Sequence, residues 1–165
     1  MINPLAEAIA IISTAMSPRY LGVLVLIAAG IALLRKASPW LVSYVPVVFL
    51  IAQSITTVLK YTINRERPPL EGQLVYTYDP AFPSGHATAA FSIATALIIL
   101  ILSKNIQTRY PSWIIAGLVV GASASAAMRI YLGVHWPSDV LAGAGIGILV
   151  AVGMFSVYRR KGGLG

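Results

Sequence analysis

The sequence predicts an all-α integral membrane protein, a six-helix transmembrane bundle whose first helix is short. Three observations predict it. Of 165 residues, 58% are hydrophobic and only 10% are charged, with a mean hydropathy of +0.81. A soluble core of this chain length has no capacity for so much apolar surface. The apolar residues fall in runs near the ~20 that cross a hydrocarbon slab as helix, a form that satisfies its own backbone polar groups. No repeat, low-complexity tract or composition shift divides the chain, so residues 1–165 read as a single membrane-embedded domain.

Six apolar segments follow in order. The first, 2–16, contains Asn3, Pro4 and Glu7 and is expected to be tilted, interfacial or incompletely spanning. The next five cover 20–34, 40–60, 86–103, 112–131 and 138–158. Breaks fall at "SPRY" (17–20), "RKASP" (35–39), a long stretch at 61–85, "SKNIQTRYPS" (103–112) and "GVHWPS" (133–138). Pro18, Pro39, Pro111 and Pro137 stand near segment starts, where a missing N–H costs little.

Alternating crossings sort the breaks onto two faces. One holds Arg35, Lys36, Lys104, Arg109, Arg159, Arg160 and Lys161 with no acid in those loops. The other holds Arg19, Lys60, Arg65, Arg67 and Arg129, offset by Glu66, Glu71, Asp79 and Asp139. Cytoplasmic loops carry the excess of Lys and Arg, so the first face, with the C-terminus, is expected in the cytoplasm. The second faces outward. The formal net charge of +7 is then topological charge, and no nucleic-acid partner is expected. The chain start lacks the basic region of a secretory signal, since Arg19 is its first basic residue. With no cysteine there is no disulfide, thiolate nucleophile or Cys-bound metal.

Trp40, Tyr110, Trp113 and Tyr158 near one set of helix ends, and Tyr20, Tyr61, Tyr131 and Trp136 near the other, read as interfacial belts. Gly117/Gly121 and Gly143/Gly147 have GxxxG spacing, which predicts close helix packing inside the bundle ahead of a dimer face.

The polar residues at the outward helix ends carry the functional reading. Lys60 and Arg67 close the third segment, Ser84 and His86 open the fourth, Arg129 closes the fifth, and His135 and Asp139 open the sixth. Each has an ordinary explanation alone. Lys60 and Arg67 can snorkel to headgroups. Ser84 is placed as a helix N-cap, and Asp139 as a first-turn acid favoured by the helix dipole. His135 and Asp139, four apart, suit a metal-ligand pair or a local hydrogen bond. Arg129 is harder to dismiss, because an ionisable residue within an apolar stretch has a partner or a site. Together they describe a pocket for a multiply charged anion: three cations, a helix N-terminus with free N–H groups, and both histidines of the chain. Phosphate fits best. No metal or other cofactor is expected, because metal-dependent phosphatases supply several carboxylates and Asp139 alone is placed beside a histidine.

"KYTINRERP" (Lys60 to Pro68), "PSGH" (Pro83 to His86) and "RIYLGVHWPSD" (Arg129 to Asp139) resemble, in order and spacing, the three blocks KxxxxxxRP, PSGH and SRxxxxxHxxxD of the type-2 phosphatidic acid phosphatase family. The resemblance covers residues 60 to 139, with one departure: Met128 stands where the family has the serine of its third block. It implies that His135 is a nucleophile forming a phosphohistidine. Asp139 orients it. His86 protonates the leaving oxygen and then activates water. Lys60, Arg67, Ser84, Gly85 and Arg129 hold the phosphoryl oxygens. It implies a membrane phosphatase acting on a lipid phosphate or diphosphate, with a polyprenyl diphosphate such as undecaprenyl diphosphate favoured. Phosphatidylglycerol phosphate, phosphatidic acid and lipid A 1-phosphate are the alternatives. A vanadate haloperoxidase shares the blocks but is disfavoured by the hydropathy. A lipid-binding or transport protein needs the cations but not two histidines and an orienting acid.

Overall fold

The computed structural model describes residues 3–103 and 112–160. Lys104, Arg109, Tyr110, Pro111 and Lys161 lie outside the described residues. Six α-helices run in order: α1 Pro4–Ala15, α2 Pro18–Leu34, α3 Pro39–Ile63, α4 Gly85–Leu102, α5 Ser112–Tyr131 and α6 Pro137–Arg160. A short 3-10 turn, Leu70–Gly72, lies in the α3–α4 loop, and no strand occurs among the described residues. Proline opens α1, α2, α3 and α6, as its fixed φ and missing N–H favour. Asn3 caps α1 by accepting the Leu5 N–H at 3.0 Å.

Four helices, α3 to α6, are each long and apolar enough to cross a membrane. The chain is a multi-pass membrane protein. At 1.5 Å per residue the 12 residues of α1 reach only about 18 Å, short of a ~30 Å hydrocarbon core. α1 and α2 meet at a 44° bend and together pass as one broken span. The shortness expected of the first segment is observed; all six helices form, but four, or five counting the bent pair as one span, are long and apolar enough to cross, where the sequence predicts six.

α4 is the axis of the bundle and packs against α2, α3, α5 and α6. Its alanines, including Ala87, Ala89 and Ala96, are buried and let neighbours approach closely. The tightest approach is α6. A Cβ built on Gly147 would lie 2.7 Å from the Ser92 nitrogen and 2.8 Å from the Thr88 oxygen, and one on Gly143 would lie 2.5 Å from the Ser84 oxygen. Gly143 and Gly147 therefore do what their spacing predicts. Gly117 and Gly121 do not: a Cβ on either meets nothing within 4 Å, because that side of α5 faces no helix among the described residues.

The aromatic belts also divide. Trp113, Tyr20 and Tyr61 are exposed at helix ends. Tyr158 is instead buried, stacked on Trp40 at 4.4 Å between ring centroids and edge-on to Tyr44 at 5.1 Å. Its hydroxyl bonds Ser43, and Tyr44 donates to the Ala151 carbonyl at 2.7 Å. These rings are a packing cluster that ties α3 to α6, and both tyrosine hydroxyls find a polar partner inside the protein.

Candidate active site

The loops and helix ends on one side of the bundle bring the sequence-predicted residues together. Lys60 lies one turn before the end of α3, which runs three residues past its expected limit and stops at Asn64 in the left-handed conformation, φ 48°. His86 is in the first turn of α4, Arg129 in the last turn of α5, and His135 in the five-residue connection to α6. Lys60, Arg67, Gly85, His86, Arg129 and His135 line one cavity of about 280 Å³, together with Gln53, Thr56 and Pro18.

The connection bearing His135 is fixed by close backbone approach. Gly133 has φ +70° and abuts the Gly72 carbonyl, so a side chain there meets both strain and backbone. The Leu74 N–H donates to the Leu132 carbonyl at 3.0 Å, tying the long loop to the same connection.

His135 is 4% exposed. Its Nδ1 is 3.4 Å from Asp139 Oδ2, within ion-pair reach but without a hydrogen bond of normal geometry. Asp139 is fully buried and its oxygens are already engaged. Oδ2 accepts the Trp136 N–H at 2.9 Å, and Oδ1 accepts from Arg65 Nη1 at 2.8 Å. His135 Nε2 faces Arg67 Nη1 at 3.4 Å. Burial, followed by the nearby Arg67, Arg129 and Lys60 charges, holds the His135 imidazole far below its ordinary pKa. The ring is therefore neutral near pH 7, the form in which a histidine nitrogen has a lone pair to offer.

Arg67 spans the site. Its Nε donates to the Asp79 carbonyl at 2.8 Å, Nη2 pairs with Asp79 Oδ1 at 2.9 Å, and Nη1 donates to the Val134 carbonyl. Lys60 pairs with Asp79 Oδ2 at 2.8 Å and donates to the Pro80 carbonyl. Burial pushes the Asp79 carboxyl up, but Lys60 and Arg67 outweigh it and hold it below the usual carboxylate range. Arg129, 5% exposed, donates from Nη1 to Ser13 Oγ at 3.0 Å, while its Nε has no hydrogen-bond partner.

Ser84 occupies the N-cap position of α4, but its side chain makes no cap bond, contrary to expectation. The cap is made by backbone: Ser84 N–H donates to the Asp139 carbonyl at 2.9 Å, and the Ser84 carbonyl accepts from Thr88 N and Oγ1. Ser84 Oγ is left buried and unpartnered beside the α4 N-terminus. A buried hydroxyl and a buried guanidinium N–H that bond nothing in the protein are costly unless a ligand uses them.

Three contributors were not read from the sequence as site residues. Ser13 of α1 touches two of the sequence-predicted residues, accepting from Arg129 and presenting its carbonyl to His86 Nε2 at 3.2 Å. A carbonyl only accepts, so Nε2 carries the hydrogen in this arrangement. Arg65 clamps Asp139 and Ser138, the latter at 2.7 Å, and lies 5.8 Å above the Trp136 ring. Asp79 bridges Lys60 and Arg67 from the long loop.

Residues 40–162 match the family model of the PAP2 superfamily. The phosphatidylglycerophosphatase B of Bacillus subtilis is 34% identical over 139 residues, 79% of this chain and 63% of that protein. The undecaprenyl-diphosphatase of Sulfolobus acidocaldarius is 34% identical over 101 residues, 58% of this chain and 44% of that protein. The chain thus spans less than two thirds of these relatives' lengths. Among solved structures, the transmembrane PAP2-type phosphatidylglycerolphosphate phosphatase from Bacillus subtilis superposes with a TM-score of 0.82 at 27% identity, covering 96% of this chain and 79% of that one. With three quarters of its length inside the family model and the same helical architecture, this chain belongs to the PAP2 superfamily.

Proposed function

We propose that the protein is a membrane phosphatase that hydrolyses a lipid phosphate or diphosphate through a phosphohistidine, without a metal ion. The observation that supports this reading is the 280 Å³ cavity, which gathers two histidines and three cations from α3, the α3–α4 loop, α4, α5 and the α5–α6 connection. Phosphoryl transfer is mainly positioning and charge stabilisation, and such a cavity supplies both. His135 Nε2 attacks phosphorus as a neutral imidazole. The bond from phosphorus to the leaving oxygen breaks, and the electron pair departs with that oxygen. The charge of the bound phosphate favours the imidazolium form of His86, which gives that oxygen a proton and is left neutral. Water then attacks the phosphohistidine, His86 accepts its proton, and inorganic phosphate leaves with His135 restored. Lys60, Arg67, Arg129, Ser84 Oγ and the Gly85 N–H hold the three non-bridging oxygens. Asp139, itself held by Arg65, keeps negative charge at Nδ1 as the ring becomes cationic.

The favoured substrate is a polyprenyl diphosphate, with phosphatidylglycerol phosphate, phosphatidic acid and lipid A 1-phosphate as alternatives. We read the chain as one membrane-embedded domain with the cavity on the extracytoplasmic side. Arg35, Lys36, Arg159 and Arg160 lie at the opposite helix ends, where the positive-inside bias puts the cytoplasm.

The test is phosphate release by purified protein in detergent, with EDTA present, from a panel of lipid phosphates and diphosphates. The expected result is release that vanadate inhibits and that His135→Ala abolishes. Strict dependence on added Mg²⁺, or full activity in His135→Ala, contradicts the reading.

A further inference from the structure

A second cavity, of about 600 Å³, adjoins the first and shares Pro18, Thr77, His86 and Arg129 with it. His135 lines the first cavity and not the second. The second adds one cation, Arg19, in the first turn of α2, together with Ser17 and Tyr20. Arg19 has no hydrogen-bonded or acidic partner among the described residues. The buried Arg129, whose Nε bonds nothing in the protein, forms part of the wall between the two cavities.

In-line displacement sends the leaving group away from the nucleophile. With His135 confined to the first cavity and His86 lining both, the leaving group departs past His86 into the second. A simple lipid alcohol has no use for a cation there. A lipid monophosphate, the leaving half of a lipid diphosphate, does. Its tail also has an exit, because Thr14 and Tyr20 are shared with an apolar cleft of about 390 Å³ lined by Ile11, Val23 and Leu24, whose side chains are exposed on the outer surface of α1 and α2.

We propose that this second cavity is a leaving-group subsite for the inner phosphate of a lipid diphosphate, with Arg19 as its specificity-determining residue. The proposal rests on the phosphatase reading above. The chemistry balances as before: the His135–phosphorus bond forms, the bridging oxygen leaves with its electron pair as part of a lipid monophosphate, and the His86 proton goes to that product. A departing phosphate is a far weaker base than an alkoxide, so charge pairing with Arg19 contributes where proton donation contributes less. Arg19 makes no contact with the first cavity, so monophosphates react without it.

The experiment compares farnesyl diphosphate with farnesyl phosphate, which share one tail, in wild type, Arg19→Gln and Arg19→Lys. Loss of one charge-assisted contact is expected to lower kcat/KM for the diphosphate about 10-fold in Arg19→Gln, with partial recovery in Arg19→Lys. For the monophosphate the change is expected to stay below about twofold. Equal losses on both substrates, no loss on either, or a wild type that hydrolyses only the monophosphate overturns the subsite while leaving the phosphatase reading intact. A wild type that hydrolyses neither overturns the subsite, and overturns the phosphatase reading too when the wider panel of lipid phosphates also releases no phosphate.

Discussion

Arg65 Nη1 donates to Asp139 Oδ1 at 2.8 Å, so the carboxylate facing His135 is held from the opposite side by a cation of the long loop. Asp139 is fully buried while the Arg65 side chain is 38% exposed. The pair is therefore more a positional clamp than a large electrostatic gain. A buried carboxylate with its partner removed rotates toward whatever donor is left, and here that is His135 Nδ1 or the Trp136 N–H.

Arg65→Gln is accordingly expected to lower kcat by roughly 10-fold or more, in line with the partners that orient metal-bound histidines. KM should change little, because Arg65 does not line the cavity of His135. Arg65→Lys keeps a donor and charge and should recover part of the loss. A fall in KM and kcat together, or an unchanged melting temperature with unchanged kcat, removes Arg65 from the account.

Two groups should make stability depend on pH in separate windows. The buried His135 imidazole has its pKa depressed in the folded protein, so only the unfolded chain takes up its proton near the ordinary value. Stability is then lost as pH falls below about 6.5. Asp79 also has a depressed folded pKa, so its contribution is present above its unfolded value and is lost as pH falls below about 4. Melting temperatures of detergent-solubilised His135→Asn should therefore decline less between pH 7 and 5 than wild type. Those of Asp79→Asn should decline less only below pH ~4. The same pH profile for all three proteins contradicts both assignments.

The α4–α6 approach gives a packing contrast. Gly147→Val places a side chain against backbone of α4, at 2.7 Å from the Ser92 nitrogen even before the outer methyls are added. Overpacking of this kind costs about 1–3 kcal/mol, and more where the obstacle is backbone. Gly121→Val meets open space and should leave the melting temperature near wild type. Thermal unfolding of the two variants in one detergent checks this, and equal destabilisation contradicts it.

Much of the candidate site is legible because its residues sit at helix ends with motif spacing. Lys60, Arg67, Ser84, His86, Arg129, His135 and Asp139 each fall where a segment ends or begins, and polar residues there stand out against an apolar background. Segment limits were legible for the same reason, since Pro18, Pro39 and Pro137 mark starts that the structure reproduces. What was hidden depends on how loops and α1 fold back. Ser13 is an unremarkable serine in "IISTAM", and only the docking of α1 puts it on Arg129 and His86. Asp79 and Arg65 are loop charges whose partners lie 12 or more residues away, and no local spacing announces such pairs. The side chain of Ser84 was misplaced because an N-cap position states where the residue is, not where its hydroxyl points. Tyr158 was misplaced because an aromatic at a helix end faces lipid or protein according to helix rotation, which the pattern here leaves open.

The most direct measurement is a search for covalent phosphate on His135. His86→Ala should still let His135 attack a lipid diphosphate, whose leaving phosphate needs little protonation, while slowing the water step. Radiolabelled substrate quenched into alkali should then leave label on the protein, and the label should disappear in the His86→Ala, His135→Ala double variant. No label in either, together with wild-type phosphate release from His135→Ala alone, would contradict the mechanism.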